Sequence, residues 1–392
     1  MIDDRLARAG LSRLAEPGDT RVPAAVAAVG AVTLFEDVLA RRGDHRPMPG
    51  RTDGPRLVDD TAPRLTDLDP AADLDRAQRR GIRFVIPADD EWPHQLDDLD
   101  HSGTVQELGG APIGLWVRGP LRLDQLAESV AVVGSRSATT YGEEVARELG
   151  AGLARAGRPH VSGAAFGIDQ ASHRGSLAVG GPSVAVLACG VDRAYPTAHR
   201  DLLDHLATQG GAVVSELPPG CAPTRMRFLA RNRIIAALTR GTVLVEAAVR
   251  SGALNTAHWA TSLSRPLMGV PGPVTSAQSQ GVHLHLRSGA SLVTGPADVL
   301  ELVGEAGRHL AEEPRGPERS RDRLQRRHHQ VLEAVPRHRP AGLEAIAGTA
   351  GVAILETQRA LAYLTERGYA IEGDGGWRLG ERALADLRGS GA

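Results

Sequence analysis

The chain has 392 residues, 42% of them hydrophobic, and a formal net charge of −2; this length accommodates two or three domains of roughly 100 to 200 residues each. No apolar run approaches the ~20 residues of a membrane-spanning helix, and no basic-then-apolar signal pattern follows the charged start Met1-Ile2-Asp3-Asp4-Arg5, so a cytoplasmic protein is expected. Lysine is absent and all 45 basic residues are arginine, which excludes a Walker A lysine, a Schiff-base lysine and a lysine general base, and with them P-loop ATPases and PLP enzymes.

Residues 1–80 carry apolar positions at helical period, among them Leu6, Leu11, Leu14, Val26, Val29, Leu34 and Val38, interrupted by a Pro/Gly/Asp-rich stretch from Arg42 to Pro70. The pattern predicts a small helical domain with an irregular connection. Phe84-Val85-Ile86 and Ile113-Gly114-Leu115-Trp116-Val117 read as strands that extend the next domain. From Val130 onward, short apolar runs at 130–133, 160–161, 184–187, 212–214, 242–245, 267–270 and 292–293 alternate with helix-length segments. Runs apolar on both sides and closed by Gly, Ser or Pro predict an α/β fold, a doubly wound parallel sheet with helices on both faces. Cys189 and Cys221 lie outside any Cys-x-x-Cys spacing, so neither a disulfide framework nor a zinc site is expected. Gly304 to Arg327 turns polar and Arg/Glu/Pro-rich, as a linker does. Three helices follow (328–335, 343–349 and 352–367), then two strands around Gly373-Asp374-Gly375-Gly376, a winged-helix pattern.

In a parallel sheet, ligands bind at the carboxyl ends of the strands, and four loops there carry unusual residues. Gly134-Ser135-Arg136-Ser137 ends the first strand before a helix start at Thr139-Thr140; small residues let backbone approach a phosphate, helix amides point at it and Arg136 adds a planar fork. A glycine that merely makes the turn is the plainer alternative. The dinucleotide fingerprint Gly-x-Gly-x-x-Gly is absent, and no acid for a ribose follows Ser162-Gly163. In the second loop, Asp169 and His173 share a helical face; a catalytic or metal pair is conceivable, but the reading favours an Asp at the helix start and a hydrogen-bonded His beneath it.

The third segment, Leu217 to Val245, holds no Asp or Glu but five arginines, Arg225, Arg227, Arg231, Arg233 and Arg240. Charge for a backbone, the Phe228 ring for stacking and Asn232 for a base edge are how single strands are held. A basic solvated face with Phe228 in the core is the alternative; the lack of neighbouring acids favours the binding face. In the fourth loop Ser251-Gly252 opens a helix and offers another anion site, while Glu246 is either a general acid or base or a partner for one of the arginines.

Val133-Gly134-Ser135-Arg136, Ser162-Gly163 with Gly167-Ile168-Asp169 and His173, Gly190 with Tyr195-Pro196, Phe228 with Arg231-Asn232-Arg233-Ile234-Ile235, Val245-Glu246-Ala247 with Ser251-Gly252, and Val270-Pro271-Gly272 resemble, in that order, the motif series of the DNA-processing protein A (Smf) family. Trp92-Pro93 with Leu96 resembles that family's Tyr-Pro-x-x-Leu; departures from its pattern fall at Leu229-Ala230, Phe166 and His283.

The resemblance implies a SAM- or helix-hairpin-helix-like domain at 1–80, an extended Rossmann-like domain at 81–305, a linker at 306–325 and a winged helix at 326–386. It implies a homodimeric, non-enzymatic, cofactor-free protein that binds incoming single-stranded DNA in natural transformation and loads the RecA recombinase onto it. The family's DNA pocket carries over to Gly134, Ser135 and Arg136, and to Phe228, Arg231, Asn232 and Arg233. Ser162, Gly163, Arg225, Arg227, Ser251 and Gly252 complete the expected site. The competing reading is a Rossmann-like nucleotide sensor or phosphoribohydrolase-like enzyme; its Pro-Gly-Gly-x-Gly-Thr-x-x-Glu hallmark is missing, and Asp169 and Glu246 are the only candidate acids. A winged-helix transcription factor is a third reading, opposed by Glu356 and Glu366 beside Arg359 and Arg367 on the candidate recognition helix.

Overall fold

Val130–Val133 offers four apolar side chains in a row and no polar face, so it can only lie where both sides of a sheet are covered. In the computed structural model, which describes residues 2–40, 61, 64, 65, 68–305, 307–309 and 319–388, this segment lies inside a nine-stranded sheet. In chain order the strands of the molecule are β1 (Ile82–Val85), β2 (Thr104–Val105), β3 (Leu108–Gly109), β4 (Leu115–Arg118), β5 (Val130–Val133), β6 (His160–Ser162), β7 (Ser183–Val186), β8 (Ala212–Ser215), β9 (Gly241–Leu244), β10 (Leu267–Gly269), β11 (Ser291–Leu292), β12 (Ala370–Gly373) and β13 (Gly376–Leu379).

The large sheet has the order β1-β4-β8-β7-β6-β5-β9-β10-β11. Strands β5 to β8 step outward one way and β9 to β11 the other, all parallel. At one edge β4 runs antiparallel to β8, and β1 to β4. Alternation along β5 divides its side chains between two cores: Ala131 and Val133 join Ile234, Ile235, Leu238 and Trp259, while Val130 and Val132 join Leu149, Leu153 and Val299. The first set comes from the helices Arg225–Leu238 and Ala253–Ser262, the second from Thr140–Arg155 and Pro296–Val303. Thr140–Arg155 also crosses Ile168–Ala178 at unusually short range. A methyl at Gly150 would overlap the Ser172 carbonyl, and one at Gly175 the Arg147 carbonyl, so the two glycines let the backbones touch.

The chain divides into two compact units, Met1–Ala311 and Glu312–Ala392. The helices Asp4–Leu14, Arg21–Val29, Ala31–Ala40 and Pro70–Gln78 fall in the first unit with the sheet. They have a small core of their own around Leu11, Leu14, Leu34, Phe35 and Val38. Arginines then tie them to the sheet unit: Arg5 grips Asp89 with both terminal nitrogens (2.5 and 3.0 Å), and Arg8 and Arg13 donate to the carbonyls of Ile113 and Pro219, each at 3.0 Å. The Arg42 to Pro70 stretch lies largely outside the described residues. No single described helix is long and apolar enough to cross a membrane.

The second unit has the helices Arg326–Ala334, Leu343–Ala350 and Ile354–Glu366, the β12–β13 hairpin and a closing helix, Glu381–Arg388. Ala341 bridges to Trp377 beside the hairpin. Val331, Ile346, Leu361, Leu364, Tyr369 and Leu379 form its core. Part of the expected linker belongs to this fold, since Ser320 and the Arg321 amide donate to Asp386 on the closing helix (2.8 and 3.1 Å).

Candidate anion-binding site

The sheet order reverses on either side of β5, between β6 and β9, and at such a point the loops leaving the strand ends diverge and open a crevice. The Gly134 loop is pinned from two directions: the Ser135 amide donates to the Glu246 carbonyl (2.7 Å), and the Ile168 amide to the Ser135 carbonyl (3.2 Å). A side chain at Gly134 would overlap Ile168 and the Glu246 backbone. Thr139 caps the following helix by accepting from the Gly142 amide (3.2 Å). Glu246 accepts from the Thr139 amide (2.9 Å) and hydroxyl (2.6 Å), so it pairs with a helix terminus rather than with an arginine, and its carboxylate is committed to holding the loop. These bonds leave Ser135 buried and Arg136 exposed.

Beneath the crevice lie two buried charged groups, Asp169 and Arg231. Asp169 accepts from the amides of Gly163 (3.2 Å) and Ala165 (3.3 Å), folding the loop after β6. Arg231, 7% exposed, donates to the carbonyls of Gly163 (2.8 Å) and Val186 (2.6 Å), clamping the ends of β6 and β7. Burial pushes the Asp169 carboxyl up while Arg231 and the two amides pull it back. Burial also lowers the Arg231 guanidinium to about 10, with Asp169 opposing and Arg136 adding to the shift, so it stays charged at neutral pH. His173 hydrogen-bonds the Ser183 hydroxyl (2.7 Å). Asp169 and His173 are therefore structural, although the helix cap itself is Gly167.

Several expected contact residues are spent internally. Ser162 is fully buried with its hydroxyl on the Val132 carbonyl (2.7 Å), and both backbone groups of Gly163 are used by Asp169 and Arg231. Arg233 is 1% exposed and forms a double bond pair with Glu216 (2.7 Å each). Asn232 donates to Asn255 (3.2 Å) and to the Gly252 carbonyl (3.3 Å). Ser251 accepts from the Ala253 amide (3.3 Å), occupying one donor of the helix start it was expected to offer an anion. The acid-free run is not an unneutralised one: Arg227 pairs with Glu16 (2.8 and 2.9 Å), Arg233 with Glu216 and Arg240 with Glu128. A window of sequence does not see acids that folding brings in from outside it.

What faces solvent is a ledge of Arg136, Tyr195 and the half-buried Phe228 ring, with Arg231 buried behind it. The Arg136 guanidinium carbon lies 4.8 Å from the Phe228 centroid and that of Arg231 5.8 Å; Tyr195, 42% exposed, packs its ring 5.5 Å from Phe228. Among the described residues Arg136 has no carboxylate partner, and neither does the exposed Arg225 at the start of the Phe228 helix. Phe166, 46% exposed, meets His199 edge-on at 4.6 Å. Cation–π contact holds a guanidinium flat against a ring while its N–H edge stays free for an anion. Residue reasoning alone gave no part to Tyr195 or Asn255. One signal was available: with only four Phe and four Tyr in the chain, aromatics beside loop glycines are conspicuous. Among the described residues no cluster of His, Cys, Asp or Glu is arranged to hold a metal ion.

The fold is mixed α/β with a mostly parallel sheet, and Arg136, Phe228 and Tyr195 lie together at its strand ends. The family described as DNA recombination-mediator protein A matches residues 83–304, more than half of the chain. A Mycobacterium tuberculosis protein named as DNA processing protein DprA is 45% identical over 374 residues, 94% of this chain and 92% of its own. Protein Smf of Escherichia coli is 40% identical over 238 residues, 60% of each chain. The X-ray structure of DNA processing protein A from Streptococcus pneumoniae aligns with a TM-score of 0.60 at 30% identity, covering 76% of this chain and 97% of that one. The chain belongs to the DNA recombination-mediator protein A family.

Proposed function

We propose that this chain binds single-stranded DNA on the ledge of Arg136, Phe228 and Tyr195, and acts as a cytoplasmic, non-enzymatic recombination mediator. In this reading it protects incoming single strands during natural transformation, loads the RecA recombinase onto them and works as a homodimer. The observation that carries it is Arg136: an exposed arginine with no carboxylate partner among the described residues, laid on a ring at the point where the strand order reverses. A strand offers phosphates to the guanidinium edge and base faces to Phe228 and Tyr195, and stacking of this kind is sequence-tolerant. Gly134 and Ser135 hold the Arg136 loop in place, Arg225 adds a further charge, and Arg231 a fixed positive charge beneath.

Ser162, Gly163, Asn232 and Arg233 support the ledge rather than touch the strand. The enzyme alternative has lost its acids, because Asp169 and Glu246 are both engaged in folding loops. The element order of residues 319–388 and the Ala341–Trp377 bridge support a winged helix there, and the N-terminal helices support a SAM-like accessory.

Oligo(dT) titration tests the proposal. Arg136→Ala and Phe228→Ala should each weaken binding roughly 5- to 100-fold, as loss of a stacking or cation contact does, with folding unchanged by circular dichroism. Wild-type binding by both variants would overturn it.

A further inference from the structure

Beside the ledge the surface dips into an open groove lined by Asp192, Arg193, Tyr195, Thr197, Arg200 and Pro223. Arg193 and Arg200 are exposed, and among the described residues neither has a carboxylate partner. The single acid in the lining is spent: one Asp192 oxygen takes Arg80 (3.1 Å) and the other accepts from the Gly220 amide (2.8 Å). The groove is therefore net cationic. It is also continuous with the ledge, because Tyr195 lines the groove and packs on Phe228, which carries Arg136.

We infer that this groove is a second segment of the nucleic-acid path, taking the phosphates of nucleotides that flank those held at Arg136 and Phe228. The inference rests on the single-strand reading above and deepens it. Arg193 and Arg200 contact the backbone by charge, and Tyr195 serves as the stacking wall where one segment passes into the other. The two segments then divide the work. A strand that ends on the ledge meets the groove at Tyr195 alone, and one that runs on past Tyr195 also meets Arg193 and Arg200.

The test compares oligo(dT) of about 5 and about 16 nucleotides, lengths that bracket single-strand sites of this kind, on wild type, Arg136→Ala and the double variant Arg193→Ala/Arg200→Ala. Both groove arginines are exposed, so the double variant should melt like wild type. It should bind the short oligonucleotide as wild type does and the long one roughly tenfold more weakly. Its log-affinity against log-salt slope on the long one should be shallower by about 1.4, the share of two released counterions on a single strand. Unchanged affinity and slope on the long oligonucleotide, or equal losses on both lengths, would overturn the inference while leaving the ledge intact. Failure of wild type to bind either length, or indifference to Arg136→Ala, would instead remove the single-strand reading itself.

Discussion

Arg136 and Arg231 both hold their guanidinium carbons within 6 Å of the Phe228 ring, but their surroundings give them different duties. Arg231 is buried and clamps two carbonyls, so removing it leaves the Gly163 and Val186 carbonyls without their donor and withdraws a nearby positive charge from Asp169. Arg231→Ala should cost on the order of 1–3 kcal/mol of stability for the buried carbonyls it leaves unpaired, read as a lowered urea midpoint. A midpoint equal to wild type would contradict this role. Gly163→Ala probes the same clamp, since the added methyl would overlap the Arg231 guanidinium. Overpacking of this kind costs roughly 1–3 kcal/mol, so a measurable midpoint shift is expected. This separation was not legible in the sequence, where Arg225, Arg227, Arg231 and Arg233 look alike. Their fates depend on Glu16, Asp169 and Glu216, of which only Glu216 is a close sequence neighbour.

At the scale of elements, the helix Ile168–Ala178 packs on β6 and β7 through a buried polar contact. His160 and His173 both hydrogen-bond the Ser183 hydroxyl (2.8 and 2.7 Å), their rings 4.8 Å apart, and among the described residues neither Nε2 has a partner. Burial lowers the His160 pKa to about 3 and that of His173 well below its ordinary value. An unfolded histidine titrates near about 6.5, so as pH falls below that value the unfolded chain takes up protons the fold refuses. Stability is thus full above about pH 6.5 and declines toward pH 3, by up to about 1.4 kcal/mol per pH unit for each histidine. Urea denaturation at about pH 7.5 and about pH 5.5 should show the loss, and His160→Gln should reduce it. Equal stability at both would contradict it. The strands of the sheet were readable because each is a short apolar run between breakers. The β2–β3 hairpin has only two residues per strand and left no periodic trace, whereas the closing helix Glu381–Arg388 turns Ala383, Leu384 and Leu387 to the core at helical spacing and was legible in principle.

For the whole molecule, a net charge of −2 conceals the cationic strand-end surface, because acids are spent in pairs elsewhere, such as Arg83–Glu91 and Arg118–Asp204. Binding should accordingly weaken steeply with salt, although the chain as a whole is slightly acidic. The N-terminal helices are fastened to the sheet unit in part by Glu16, which takes Arg227 from the strand-end surface. Arg227→Ala is therefore expected to lower stability by about 1 kcal/mol or less and to alter oligo(dT) affinity less than Arg136→Ala does. If it weakens binding as much as Arg136→Ala, then Glu16 yields Arg227 to the strand. The recombination role has its own readout. On oligonucleotides coated with single-strand-binding protein, the chain should speed RecA assembly, and Arg136→Ala should not.

The ledge itself is tested most directly by titrating labelled oligo(dT) into wild type and Arg136→Ala over a range of salt concentrations. The expected result is tight binding by wild type at low salt, a falling affinity as salt rises, and for the variant a weaker affinity with a slope shallower by about 0.7, one phosphate contact fewer. Identical titrations for the two proteins would contradict the central claim.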